Sequence, residues 1–439
     1  MTLAEKLPDN WNASTLGLVA HGFLSGGTPS TKNEAFWQGS VPWITSKWLN
    51  SRLYIDNGEK FISEDALKQS ATTVVPRNNL IFATRVGVGK VAVNNIDLAI
   101  NQDLAGVLVD SDRHDIRFLA YQLRSDRIQR TVASHKRGAT IQGITRDALK
   151  ELEIYLPPLA EQGKIAEVLG LVQRALQEQE WLIALTKELK KALLHQLFTQ
   201  GLRGEPRKQT EIGPVPQSWE VVKLEDAAVA FDYGTSVKCE RGKAGVPVLR
   251  IPNVVVGSID LSDLKHGHPK RSELEQLRLR DGDLLFVRTN GVLENAGRCA
   301  LYRGELEGCY FASYLIRVRV DSSKVLAAFV NEYARTETGR SFLSGRAIRT
   351  ADGKFNINSG TLKRVMLPLP NISEQTEIVD DLNLAERKLS LHHRKHAAFT
   401  ALFRTLLHQL MTAQVRVHDL ELCTDNLTGN PVLLTRNLT

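Results

Sequence analysis

Leu194-His195-Gln196-Leu197 returns as Leu407-His408-Gln409-Leu410, 213 residues further along the chain. The same offset runs without a gap back to Glu161-Gln162 and Glu374-Gln375. Between 159–199 and 372–412, 15 of 41 positions are identical, among them Ile165/Ile378, Leu169/Leu382, Arg174/Arg387 and Leu189/Leu402. A period this long far exceeds the few tens of residues of a solenoid repeat. It implies two copies of a domain-sized unit, each ending in a long helix.

Outward from that stretch the repeat continues with drifting offsets. Leu7-Pro8 and Trp11 return as Val215-Pro216 and Trp219, Gly27-Thr28 as Gly234-Thr235, and Val41-Pro42 as Val246-Pro247. Ile144 and Leu149-Lys150 match Ile357 and Leu362-Lys363. Ends and turns persist while the sequence between them diverges. Within the globular parts, Val74-Val75, Leu80–Ala83 and Val91–Val93 read as short strands, as do Leu284–Val287, Ala300–Tyr302 and Leu315–Val320. Ile116–Gln129 and Val325–Thr336 read as helices. Pro157-Pro158 and Pro368 with Pro370 then break the chain before each long helix.

Apolar residues three and four apart run from Ile165 to Leu197 and from Ile378 to Leu410. Gln179, Thr186 and Lys190 interrupt the first seam, and His392, His393 and His396 the second. About 40 residues rising 1.5 Å each make a rod of roughly 60 Å. One such helix cannot bury its apolar stripe alone. Each copy is therefore expected to serve as the other's partner in an antiparallel coiled coil, about a pseudo-two-fold axis. The expected fold class is α+β: two mixed α/β domains joined by a pair of long helices.

Composition narrows the function classes. The apolar fraction is 42% and the net charge +7. The excess of basic over acidic residues is two in 1–158 and five in 213–371, so the globular parts carry it. A basic balance favours a polyanion partner. No apolar run approaches the ~20 residues of a membrane span, and the start of the chain lacks a secretory pattern. Cys239, Cys299, Cys309 and Cys423 are scattered without metal spacing, which points to a reducing, cytoplasmic setting.

Gly87-Val88-Gly89-Lys90 fails the phosphate-loop pattern at Thr84 and Val91, so it reads as a turn between strands. His195 and His408 read as polar packing between the long helices, and the 392–396 histidines as a solvated face. There is no nucleophile elbow, zinc-protease motif or cofactor loop, and no Asn/Asp-Pro-Pro-Tyr/Phe motif for a flipped base. No catalytic or metal-ligating residue is assigned. Basic and amide residues on Gly-flanked loops suit phosphate and base-edge contacts. The candidates are Thr45, Ser46, Lys47, Arg85, Lys90, Lys136, Arg137 and Thr140 in the first copy. Arg250, Asn253, Arg288, Asn290, Arg346, Arg349 and Lys354 are those of the second.

Leu156-Pro157-Pro158-Leu159-Ala160-Glu161-Gln162 and its copy Leu367-Pro368-Leu369-Pro370 with Glu374-Gln375 carry a resemblance. With Ile212-Gly213-Pro214-Val215-Pro216 and Trp219, they make the whole chain resemble the specificity subunit of a type I restriction-modification system. The resemblance implies a first target recognition domain at 1–158, a long helix at 159–200 and a linker at 201–213. A second recognition domain at 214–371, a helix at 372–415 and a tail at 416–439 follow. It implies that each domain reads one half of a bipartite, asymmetric site on double-stranded DNA. The helices would set the spacer and dock two methyltransferase subunits, and motor-nuclease subunits would join them. S-adenosylmethionine, ATP and Mg would belong to those partners, with no cofactor on this chain. Two other readings compete: a single-chain methyltransferase or nuclease with a fused specificity module, and a non-catalytic coiled-coil assembly protein.

Overall fold

The structure is a computed structural model that describes residues 7–136, 143–242, 244–255, 257–423 and 432–435. It divides into two compact units, Met1–Trp181 with His393–Thr439, and Leu182–His392. The division falls inside both long helices, so each unit holds one globular part and one portion of each helix.

In the first unit, a five-stranded sheet has the order Ala20–Ser25, Leu104–Val109, Asn79–Ala83, Val91–Asn94, Tyr54–Ile55. Only the last pairing is parallel. A second sheet orders Lys60–Ile62, Val41–Ile44, Leu98–Ile100 and Thr73–Val75, with the central pair parallel. The second unit rebuilds this plan from diverged sequence. Its larger sheet runs Ala228–Tyr233, Leu315–Val320, Leu284–Val287, Cys299–Leu301. Gly257 bridges Ala300 in parallel, where the first unit has Tyr54–Ile55 beside Val91–Asn94. Its smaller sheet, Lys265–Gly267, Val246–Leu249, Tyr310–Phe311, keeps the parallel pair.

The central strands explain why their sequences read as continuous apolar runs. They are covered on both faces, and successive side chains point to opposite sides. Leu80 and Phe82 join the core shared with the long helices, whereas Ile81 and Ala83 join the core toward the smaller sheet. Leu284 and Phe286 against Leu285 and Val287 divide in the same way.

The long helices span Leu159–Gln200 and Ile372–Met411. In the first unit Ile165, Leu169 and Val172 share a core with Leu406, Leu410 and Met411. In the second, Leu197 and Phe198 share one with Ile378, Val379 and Leu382. The start of one helix meets the end of the other in each unit, which is the antiparallel pairing expected.

The repeated Glu-Gln opens each helix by a shared device. Gln162 Oε1 accepts from the Asp115 amide at 3.0 Å, and its Nε2 donates to the Pro157 carbonyl at 2.9 Å. Gln375 Oε1 accepts from the Leu326 amide at 2.8 Å, and its Nε2 donates to the Pro370 carbonyl at 2.9 Å. Asp115 and Leu326 are the N-caps of the equivalent helices Ile116–Arg124 and Ala327–Tyr333. Each glutamine thus ties its globular part to its long helix through groups that have lost water. Gln375→Leu is expected to lower stability by about 1–3 kcal/mol, because it strands a buried amide and a carbonyl. An unchanged urea midpoint for the full chain would refute this role.

Several local expectations need correction. Ile116–Gln129 is two helices, Ile116–Arg124 and Asp126–Ser134, because Ser125 is extended (ψ 150°) and its hydroxyl donates to the Gln122 carbonyl. The helix expected over Val325–Thr336 is shorter, Ala327–Tyr333. His195 and His408 are exposed, not packed between the helices, while His392 is buried at 7% exposure and does not lie on a solvated face. The second long helix stops at Met411, short of 415, with Ala413 left-handed (φ 57°) just beyond it. Within and just beyond the linker, Arg207–Thr210 pairs with Gly213–Pro216. The tail contains a matching pair, Leu420–Cys423 with Val432–Thr435. Its first strand lies at the 213 offset from Arg207–Thr210.

Candidate nucleic-acid interface

In the second unit, the strand Leu284–Val287 delivers Arg288 to the edge of the core. There a small sheet forms in the order Thr289–Asn290, Phe355–Asn356, Ile348–Arg349. The Ile357 amide donates to the Arg288 carbonyl at 2.9 Å, which anchors it. Arg288, Asn290, Arg349 and Lys354, well separated in sequence, are thereby gathered on one structure. The tip closes tightly: Thr350 N donates to the Lys354 carbonyl at 2.7 Å, and Gly353 takes φ 80°.

The basic groups of this rim are not equivalent. Lys354 is paired with Asp352 at 2.8 Å. Hydrogen bonds from Lys354 and Thr350 hold the Asp352 carboxyl down to about 2, so it stays ionised and partly neutralises the lysine. Arg346 stacks on Phe342, 3.7 Å from the ring centroid. Arg288 lies over the Tyr233 ring at 4.9 Å and its Nη1 donates to the Ser313 carbonyl. Burial acts to raise the Tyr233 hydroxyl, but the Ser359 hydrogen bonds and Arg288 outweigh it and leave it below the ordinary tyrosine value. Arg349 is exposed and, among the described residues, forms no ion pair. Ile348 beside it, and Tyr314, whose carbonyl accepts from the Arg288 amide, are 65% and 57% exposed, so the rim mixes cations with uncovered apolar groups.

The first unit places Arg85 comparably, just past Asn79–Ala83. The Ile144 amide donates to the Thr84 carbonyl at 2.8 Å, matching Ile357 on Arg288. Arg85 lines a cleft of about 480 Å³ with Ser25, Gln102, Gly143, Thr145 and Arg146. The 87–90 segment is the expected turn, with Gly87 and Gly89 at φ 70° and 94°. Lys90 Nζ donates to the Leu49 carbonyl at 2.8 Å and so braces that turn. Lys136 is exposed, whereas Arg137 and Thr140 lie outside the described residues.

All but one of the remaining candidates in these segments are taken up by the fold. Ser46 and Asn253 are interior at 2% and 1% exposure, which removes them from any surface a duplex could reach. Asn253 accepts from the Arg250 amide and donates to the Asp260 carbonyl. Arg250 is paired with Asp263 at 2.8 Å. Thr45 donates to Glu59, and only Lys47 of that trio is exposed. Sequence reasoning missed Tyr233, Tyr314, Gln102 and Arg146. Arg146 sits two residues after Ile144 at the helix entry, a position the repeat does mark.

Among the described residues, no cluster of His, Cys, Asp and Glu fits a metal ion, and no helix is long and apolar enough to cross a membrane.

Comparison with known proteins agrees with this architecture. The family model for the type I restriction modification DNA specificity domain matches residues 8–186. The chain is 25% identical over 389 residues to the type I restriction enzyme EcoKI specificity subunit of Escherichia coli K12, covering 86% of this chain and 82% of that one. It is 22% identical over 429 residues to the MjaVIII specificity subunit of Methanocaldococcus jannaschii, covering 94% and 95%. In fold, it resembles the crystal structure of the type I restriction-modification S subunit from M. genitalium. That match has a TM-score of 0.58 at 17% identity and covers 92% of this chain and 97% of the other.

Proposed function

We propose, for a chain that belongs to the specificity subunits of type I restriction-modification systems, that its two rims read the two halves of one bipartite DNA site. The carrying observation is the recurrence of one construction. A central strand runs out toward a basic residue, Arg288 directly after Leu284–Val287 and Arg85 one residue further on after Asn79–Ala83. In both units the segment entering the long helix hydrogen-bonds back onto the residue that follows the strand, Arg288 or Thr84. The scaffold is thus repeated while the side chains on it differ: Arg85 and Arg146 above a cleft, against Arg349 and Lys354 on a hairpin. Different readers on one scaffold suit two different half-sites.

The chain is the non-catalytic member of such a system. Methyl transfer and cleavage would fall to methyltransferase and motor-nuclease subunits, which would bring S-adenosylmethionine, ATP and Mg. Two readers on one chain gain affinity from effective concentration. Major-groove faces recur every ~34–36 Å, so the helix pair selects the half-site separation.

Replacing 1–158 by the corresponding part of another specificity subunit is expected to change one half-site and leave the other intact. Mapping methylated adenines in a host carrying the chimera reads both halves together. Simultaneous change of both halves would reject independent reading. A purified chain that methylated DNA unaided would instead favour a single-chain enzyme.

A further inference from the structure

Each unit seats a globular helix on its portion of the long-helix pair, and the two seats use the same positions with different chemistry. The helices Ile116–Arg124 and Ala327–Tyr333 correspond at an offset of 211, fixed by the N-caps that Gln162 and Gln375 hold. Tyr121 then matches Glu332, and Arg124 matches Arg335. On the long helices, at the 213 offset, Gln173 matches Glu386 and Phe403 matches Lys190.

In the first unit these positions are joined without a carboxylate. The Tyr121 hydroxyl donates to Gln173 Oε1 at 2.8 Å, and the Phe403 ring meets Tyr121 edge-on at 6.0 Å. Gln173 Nε2 donates to the Ser51 carbonyl at 2.9 Å. Arg124 places its guanidinium on the carbonyls of Val91, Ser51 and Arg52. In the second unit the same positions alternate in charge. The Lys190 ammonium pairs with the Glu386 carboxylate, which lies 3.9 Å from Arg335 Nη2. Arg335 Nη1 in turn donates to Glu332 Oε1 at 2.9 Å. The Lys190 and Glu332 side chains are only 10% and 11% exposed, so neither charge has ready access to water.

We propose that these four positions form a key that assigns each recognition domain to its own portion of the helix pair: a seat without a carboxylate for the first, an ionic seat of alternating charge for the second. A domain carrying Glu332 set against Phe403 and Gln173 would bury a carboxylate beside a ring and an amide. The chain Lys190–Glu386–Arg335–Glu332 would be cut, with charged groups left partly desolvated. These are positioning residues: they fix where a reader sits and touch no DNA. The key goes beyond the DNA-reading assignment and does not depend on it, since its test involves no DNA.

The test is amide hydrogen exchange on the full chain at about 0.05 M and about 1 M salt, a span over which the Debye length falls severalfold. Glu386 is half exposed, so salt reaches the ionic seat. Exchange across 327–333 is expected to quicken about fivefold at high salt, while 116–124 changes less than about twofold. The double variant K190M/E386Q should abolish the difference between the helices. In the first unit, Y121E should lower protection of 116–124, and adding F403K with Q173E should restore it. Equal salt responses in the two wild-type helices, persistence of the difference in K190M/E386Q, or failure of F403K/Q173E to restore protection would each overturn the key.

Discussion

Arg349→Ala combined with Lys354→Ala is expected to weaken specific DNA binding by the assembled complex by about a hundredfold. Each lost contact to a base edge or phosphate is worth about 1–3 kcal/mol. The rim makes the contributions unequal. Arg349 is exposed and forms no ion pair among the described residues, so its fork is available to a base edge or a phosphate. Lys354 must first give up Asp352, which stays ionised down to about 2 and therefore competes with phosphate throughout the physiological range. Arg349→Ala alone should account for most of the loss. Asp352→Asn should act in the opposite direction and tighten binding by freeing the lysine. Affinity titrations at several salt concentrations separate the contributions: each lost phosphate contact should flatten the logarithmic salt slope by about one. A double variant with wild-type affinity and slope would move the interface away from this hairpin. A preserved first half-site alongside a degraded second would confirm that the unit reads alone.

What the sequence made legible follows from what each residue does. The Glu-Gln pair stayed recognisable across 213 residues because the glutamine holds both a proline carbonyl and an N-cap amide, and no other side chain supplies that acceptor and donor at that reach. Trp11 and Trp219 persisted as interior groups at 5% and 0% exposure. The strands at Leu80 and Leu284 were readable because burial on both faces admits only apolar residues there. The reading side chains were only partly legible: Arg85, Arg349 and Lys354 stood among the candidates, but nothing local set them apart from residues the fold occupies. Thr45 and Arg250 carry the right chemistry for DNA, yet Glu59 and Asp263 occupy them from within their own domains. Partners that distant in sequence leave no local pattern. The assembly of Arg288, Arg349 and Lys354 was hidden for the same reason, since it depends on Thr289-Asn290 pairing with Phe355-Asn356 far along the chain.

Asp283→Ala is expected to cost the second unit about 3–5 kcal/mol, the range for removing one partner from a buried ionic network. Asp283 is 0% exposed and stands directly before the strand Leu284–Val287. Its carboxylate accepts from Arg319 Nε at 2.7 Å and Nη2 at 2.8 Å, and from the Arg280 amide at 2.9 Å. Arg317, whose side chain is 3% exposed, lies 3.9 Å away and is also paired with Asp232. Without Asp283, two guanidinium groups, Arg317 at 3% and Arg319 at 26% side-chain exposure, share one remaining carboxylate. The equivalent residue of the first unit is Asn79, which does the same work with neutral bonds to the Pro76 carbonyl and the Val109 amide. Asp283→Asn should therefore be milder than alanine, because the amide oxygen still accepts from Arg319 or Arg280. Full replacement of the network by its neutral counterpart would require changing the arginines as well. The order wild type, asparagine, alanine in denaturant midpoint is the test, and indistinguishable midpoints would refute it. The strand at stake carries Arg288 to the rim, so DNA affinity should fall only in step with the folded fraction. A variant that lost DNA binding at a wild-type midpoint would place Asp283 in the reading itself.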